Sequence, residues 1–274
     1  MKTQTIRRQY DEVIATHYDE DPQGVIGSSL DRAVGQLRKR EALGDEVARL
    51  RVLDVGVGTG LFLERLKALG GDRVEPFGLD VSGQMIDRAL RKVPDLVAAV
   101  DDAANLDAHF PGESFDLVCT HFITGFVPVG VLAPKIWGRL EEGGYWSLVG
   151  GTKAGFPALQ AKVRSKLLRW YVGGGSLSVD DVVCNPAGRE EVVEALESNG
   201  FAVREAETFE PALHFHNFDE FMAFAYRGGW LTPFIEALGL HKAAALTRWL
   251  MDRFFFPADD HHSIEVVLAQ KVKK

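Results

Sequence analysis

The sequence predicts an α/β protein built on a largely parallel sheet, and three observations predict it. A short apolar run, RVLDV (51–55), meets three alternate glycines in GVGTG (56–60). Helical periodicity resumes at once in LFLERLKAL (61–69). Strand-length apolar runs and helix-length amphipathic runs then alternate as far as residue 151, which is the pattern of βαβ units.

The elements follow in order. Residues 1–50 read as a charged helical lid, with Leu30, Ala33, Val34, Leu37, Leu43, Val47 and Leu50 at roughly helical spacing. Residues 51–151 form the core. RVLDV is the first strand, VEPFGLD (74–80) the second, DLVAAVD (95–101) the third, FDLVCTHF (115–122) the fourth and GYWSLVGG (144–151) the fifth. SGQMIDRALRKV (82–93) is a helix capped by Ser82 and stopped before Pro94. A further helix near 131–140 precedes the fifth strand. The rhythm breaks at 152–187, an inserted basic helix (154–172, with Lys162, Arg164, Lys166 and Arg169) followed by a glycine-rich loop. Residues 188–209 return to a core helix and strand, 210–262 are an aromatic-rich helical cap, and 263–274 hold the last strand.

Composition narrows the function. The chain has 274 residues, 46% hydrophobic, enough to bury both faces of such a sheet. A net charge of −8 repels a phosphate backbone, so no nucleic-acid partner is expected and a small molecule is. Cys119 and Cys184 are far apart and in no metal-like spacing, so both are expected reduced and no metal site is expected. The polar start MKTQTIRRQYDEV and the lack of an apolar run near 20 residues predict a cytoplasmic protein without stable membrane insertion.

The glycines mark the site. In an open parallel sheet, ligands bind at the carboxyl edge, where this turn lies. Gly56 and Gly58 lack Cβ atoms, so a ligand can lie against the backbone, and Gly60 is expected to let the next helix approach the strand. The spacing is one residue short of a dinucleotide fingerprint, and no Lys-Ser pair follows for a phosphate loop. Asp54, just ahead of the glycines, disfavours a pyrophosphate and suits a cation. Asp80 ends the second strand, where an acid accepts ribose hydroxyls. Asp102 can accept from an exocyclic amine, the Ala103 N–H can face a ring nitrogen, and Met85 can pack on a purine. Asp101 is the less favoured neighbour of Asp102. An amino acid with a sulfonium, a ribose and an adenine together describe S-adenosylmethionine.

VLDVGVGTG, GLDVSGQMIDRA, DAANLD and FDLVCTHF, in that order, resemble the successive motifs of class I S-adenosylmethionine-dependent methyltransferases of small-molecule type. The match is good over about 45–151 and looser over REEVVEALESNGF. It implies a Rossmann-like, seven-stranded, mostly parallel sheet with helices on both faces and the last strand antiparallel. It also implies a cofactor set of Asp54, Gly56, Gly58, Thr59, Asp80, Val81, Met85, Asp102, Ala103 and His121, with S-adenosylhomocysteine as product. The segment YDEVIATHYDED (10–21) is similar to the entry segment of such enzymes, which makes Tyr10 and Tyr18 candidates to close over the cofactor and act in catalysis. Asp107 departs from the proline that many relatives carry.

Other candidates keep two readings. His121, after the fourth strand, is either the general base or a packing residue beside the cofactor. His214 and His216 are either pocket or metal residues or surface residues, and His261 and His262 read as a solvated turn beside Asp259 and Asp260. The basic helix is a solvated face, or it docks an acidic carrier protein or an anionic membrane. The expected activity is methylation of an oxygen, nitrogen or carbon on a small apolar or aromatic molecule. The alternatives are a lipid or carrier-thioester methyltransferase (or a cyclopropane-forming relative) and a non-catalytic cofactor-binding protein. The sequence after strand four, HFITGFVP, lacks the Asn/Asp-Pro-Pro-aromatic signature of nucleic-acid amino methylation.

Overall fold

A computed structural model describes residues 3–40, 49–163 and 184–272. Its centre is a seven-stranded sheet of order β3-β2-β1-β4-β5-β9-β6. The strands are β1 (Leu50–Val55), β2 (Val74–Asp80), β3 (Val97–Val100), β4 (Phe115–His121), β5 (Leu140–Gly151), β6 (Phe201–Phe209) and β9 (Ile264–Lys271). β1 pairs in parallel with β2 and β4, while β9 runs antiparallel between β5 and β6. The order reverses between β1 and β4, so the turn after β1 opens into the crevice of a topological switch point.

Alternation along the strands makes two hydrophobic layers. Val52, Leu117, Val149, Val266 and Leu268 face one layer with the helices Val25–Lys39, Leu61–Gly70 and Gly83–Lys92. Leu53, Val55, Val118, Trp146, Leu148 and Val267 face the other, against the helices Val129–Arg139 and Arg189–Ser198. Ser82 caps its helix as expected, accepting from the Met85 N–H at 3.1 Å.

Three expectations need correction. The region 210–262 is not wholly helical. It includes the antiparallel ribbon β7 (Ala212–Phe215) and β8 (Ala258–His261), and its Phe215, Phe218, Phe224 and Ile235 join the first hydrophobic layer. His262 is not in a solvated turn: it is 4% exposed and stacks on Phe156 with centroids 4.3 Å apart. A Cβ on Gly60 would lie 3.1 Å from the Cα of Ala89, so this glycine lets helix meet helix rather than helix meet strand. Of the expected basic helix, Pro157–Val163 is described; Arg164, Lys166 and Arg169, like Leu43 and Val47, lie outside the described residues. No helix among the described residues is long and apolar enough to cross a membrane.

Candidate functional site

A cavity of about 290 Å³ opens at the carboxyl edge of β1, β2 and β4. That is near the small end of ligand sites, which span roughly 300–1,000 Å³. The chain builds it from three local pieces and one distant lid.

The first piece is the glycine turn. The N–H groups of Gly56 and Val57 donate to the Leu79 carbonyl at 2.7 and 3.1 Å, hanging the turn from the end of β2. Gly56 has φ +82°, and a Cβ there would lie 2.1 Å from Cγ2 of Ile123, so only glycine fits. The second piece is the carboxyl group of Asp80, which accepts from the N–H of Gly58 at 2.8 Å and of Ser82 at 2.9 Å. Burial pushes it up to about 6 against those two bonds, which favour the anion. Asp54 is 2% exposed and lies beneath the turn, outside the cavity lining. Burial, then the charge of Asp80, hold its carboxyl well above the usual range, and its Oδ1 is buried without a hydrogen-bond partner.

The third piece is the loop after β3. Asp101 is held by His109, at 2.8 Å, by Asn105 and by the N–H of Asp102, and these bonds lower it to about 2. Asp102 caps the short helix Ala103–Ala108 through the Ala104 N–H at 2.9 Å, and its second oxygen accepts from Thr3 Oγ1 at 2.7 Å. Asp101, Asp102, Ala103, Val81 and Met85 all line the cavity. Thr59 does not; its hydroxyl donates to Asp19 at 2.5 Å.

The lid is the segment from Thr3 to Glu20. Asp19 ties it to Thr59 and, at 2.6 Å, to Lys92. Asp11 accepts from Ser82 Oγ at 2.6 Å, and Gln9 and Arg8 reach Glu236 of the cap at 2.8 and 2.5 Å. Tyr10 and Tyr18 therefore line the cavity, and Tyr18 Cε1 lies 3.8 Å from where a Gly58 Cβ would be. Burial pushes both phenols above their ordinary value, and the charge of Asp80 adds to the shift. They keep their protons at neutral pH, which suits a hydrogen-bond donor and not a base.

His121 lines the far wall. Its Nε2 lies 3.1 Å from Ser147 Oγ, Phe62 packs edge-on at 4.3 Å, and Nδ1 is buried without a partner. Burial pushes the imidazole down to about 3, so it stays neutral and accepts a proton poorly. The residues just after it, Phe122, Ile123, Phe126 and Val127, complete the wall. Phe122 holds φ +61°, rare for a bulky residue and concentrated at functional sites. Sequence reasoning missed these four; their position directly after the fourth strand, at the carboxyl edge, was the available signal. His214 and His216 lie elsewhere, on the surface, paired with Asp259 and, at 2.9 Å, with Glu220. No metal-ligating cluster occurs among the described residues.

A methyltransferase-domain family profile matches residues 52–144, the span from β1 into β5 that carries the glycine turn, Asp80 and Asp102. This chain carries a class I S-adenosylmethionine-dependent methyltransferase domain. Over 95 residues the domain is 39% identical to a phosphatidylethanolamine N-methyltransferase of Cereibacter sphaeroides. That alignment covers 33% of this chain and 45% of the relative, so the chain matches less than half of that protein's length. The methyltransferase fold is also that of the Bacillus subtilis YcgJ protein, with a TM-score of 0.57 and 17% identity over 88% of this chain and 100% of that one. It is likewise that of a Haemonchus contortus phosphoethanolamine N-methyltransferase solved with S-adenosylhomocysteine. There the TM-score is 0.50 and identity 20%, over 88% of this chain and 53% of that one. At these identities the solved structures speak to the fold alone.

Proposed function

We propose that the protein is an S-adenosylmethionine-dependent methyltransferase whose acceptor is a neutral molecule or an amine, presented on an apolar or aromatic flank. The observation that carries this reading is the charge of the cavity. Asp80, Asp101 and Asp102 line it, and among the described residues no lysine or arginine does. A sulfonium and a ribose suit such a lining; a dianionic phosphate does not.

The residues present fit the donor. Asp80 would accept the ribose hydroxyls. The bare backbone of Gly56 and Gly58 would face the amino-acid end. Asp102, Ala103, Val81 and Met85 would hold the adenine. The donor, when bound, supplies an electrophilic methyl group. What the chain itself contributes is orientation and exclusion of water: the Tyr10 and Tyr18 lid covers one side, and Phe122, Ile123 and Phe126 wall the other. The neutral imidazole of His121, whose buried Nδ1 has no partner, would position an acceptor by a hydrogen bond.

A second reading makes the acceptor the amine of a phosphatidylethanolamine headgroup. The 39% identity to a protein of that name supports it, and the lipid phosphate would then stay outside the acidic cavity. The test is transfer of label from methyl-labelled S-adenosylmethionine to a panel of phenols, aryl amines, phosphatidylethanolamine vesicles and free phosphoethanolamine. Transfer to a neutral acceptor or a lipid amine is expected. Free phosphoethanolamine as the best acceptor would contradict the charge argument. Donor binding without transfer to any of them would point to the non-catalytic alternative.

A further inference from the structure

The helix Ala245–Phe255 in the cap carries apolar side chains on two sides. It contributes no fully buried residue. The side that faces the body holds Met251, packed on the first hydrophobic layer, and is pinned at its flank by Asp252, which accepts from the Phe218 N–H at 2.7 Å, and by Arg248, which pairs with Asp219 and lies over the Phe218 ring. Its larger apolar side faces outward. Leu246, Trp249, Leu250 and Phe254 are 67%, 59%, 40% and 71% exposed. At 100° per residue these four fall within an arc of about 140°, with the exposed Arg253 inside it.

We propose that this face docks on an anionic lipid surface. The size of the patch separates the possible occupants. Four side chains so exposed present on the order of 400 Å² of apolar surface, since a large aromatic alone carries roughly 150–250 Å². That is functional-patch size for a monomer, but about half of the roughly 800 Å² per partner that a stable second copy needs. Its composition favours lipid. Trp249 and Phe254 are interfacial anchors, and Arg253 can lay its methylenes along the apolar face and keep its head at the phosphates. Lys242 stands exposed just before the helix, and Lys162 reaches the Phe255 carbonyl at its end, 3.4 Å away. Of the nearby carboxylates, Asp219 is taken by Arg248, and exposed Asp252, directed to the Phe218 N–H, stands alone against Arg253, Lys242 and Lys162. The local balance therefore attracts anions although the whole chain is −8.

This contact needs no cofactor and does not depend on the methyltransferase reading. Co-sedimentation of the full chain with vesicles of phosphatidylcholine and 30% phosphatidylglycerol tests it. The native chain is expected to bind at least about tenfold more tightly than the double variant Trp249→Glu, Phe254→Glu, with Arg253→Glu about fivefold weaker. All these positions are exposed, so unfolding midpoints should agree with the native chain. Binding that survives the double variant overturns the proposal, as does no binding by the native chain. Two further results would also overturn it. One is dimerisation, lost in the double variant, without vesicle binding. The other is shielding of Trp249 from acrylamide before lipid is added, read as the difference from Trp249→Phe, because another part of the chain would then cover the face.

Discussion

Two places along the carboxyl edge of the sheet bury ionisable groups, and they do so with opposite sign. At the ends of β1 and β2, Asp54 and Asp80 are buried and burial raises both, Asp80 against the bonds it accepts from the Gly58 and Ser82 N–H groups. At the end of β4 and before β9, His121 and His262 are held among Phe62, Phe156 and Trp230, and burial lowers both to about 3. The Gly58 and Ser82 N–H groups sustain negative charge on Asp80; aromatic walls sustain none. The first region is therefore suited to a cation rich in hydroxyls, and the second to an uncharged partner. That division is the physical content of the proposed reaction, with donor on one side and acceptor on the other.

The strongest way to break the first region is through its glycines. Gly56→Val places a branched side chain at φ +82° and into Ile123. The left-handed backbone alone costs about 1–2 kcal/mol, and the clash adds to it. Thermal unfolding should show the loss, and cofactor binding should vanish. In Gly56→Ala, adding Ile123→Ala should restore the part due to the clash and leave the part due to φ.

The opposite signs can be separated by pH. A histidine lowered from 6.5 to about 3 resists protonation when folded, so protons favour the unfolded chain between those values. Its contribution is complete above 6.5 and falls as pH drops toward 3. Asp80 works the other way between the ordinary carboxylate value and about 6, and it offsets part of that loss in the native chain. The variant His262→Leu removes one histidine from the balance. Its stability relative to the native chain should rise by about 1.4 kcal/mol per pH unit on acidification below 6.5. Denaturant titrations at pH 7, 6 and 5 read this directly. A pH-independent difference would mean that His262 is hydrated in solution.

Cofactor affinity should carry the signature of Asp80. The carboxylate must be ionised to accept two hydroxyls, so binding below about 6 releases a proton. Affinity is expected to fall by about tenfold per pH unit there and to be flat above. The smallest effect concerns His121. A general base contributes roughly 10²–10⁴-fold, and a positioning hydrogen bond far less. His121→Gln should slow turnover by less than about tenfold and leave no ionisation near 6.5 in the pH–rate profile. A loss above a hundredfold would restore the base role.

The same two regions differ in how far the sequence revealed them. The donor side is made from residues adjacent in the chain: a strand, a glycine turn and the residue ending the next strand. Their spacing is their geometry, so Gly56, Gly58, Asp80, Asp102, Val81 and Met85 could be read directly. Thr59 and Asp54 read as ligand contacts but lie just outside the cavity lining, because turn dihedrals decide which side chain points up. The aromatic region joins residues over a hundred positions apart. Trp230 meets Phe122 at 5.1 Å and His262 at 5.1 Å, and no local pattern announces either contact. The ribbon of β7 and β8 was hidden for the same reason: its partners, Ala212 and His261, pair across 49 residues. Tyr10 and Tyr18 were reachable only through the likeness of their segment to the entry segments of related enzymes.

Calorimetric titration with S-adenosylmethionine and S-adenosylhomocysteine, on the native chain and on Asp80→Ala, tests the central claim most directly. Loss of two hydrogen bonds to a charged acceptor, each worth about 1.5–3 kcal/mol, should weaken binding by at least a hundredfold. Micromolar binding by the native chain that collapses in the variant is the predicted result. No binding by the native chain, or equal binding by both, would contradict the assignment of this cavity to the methyl donor.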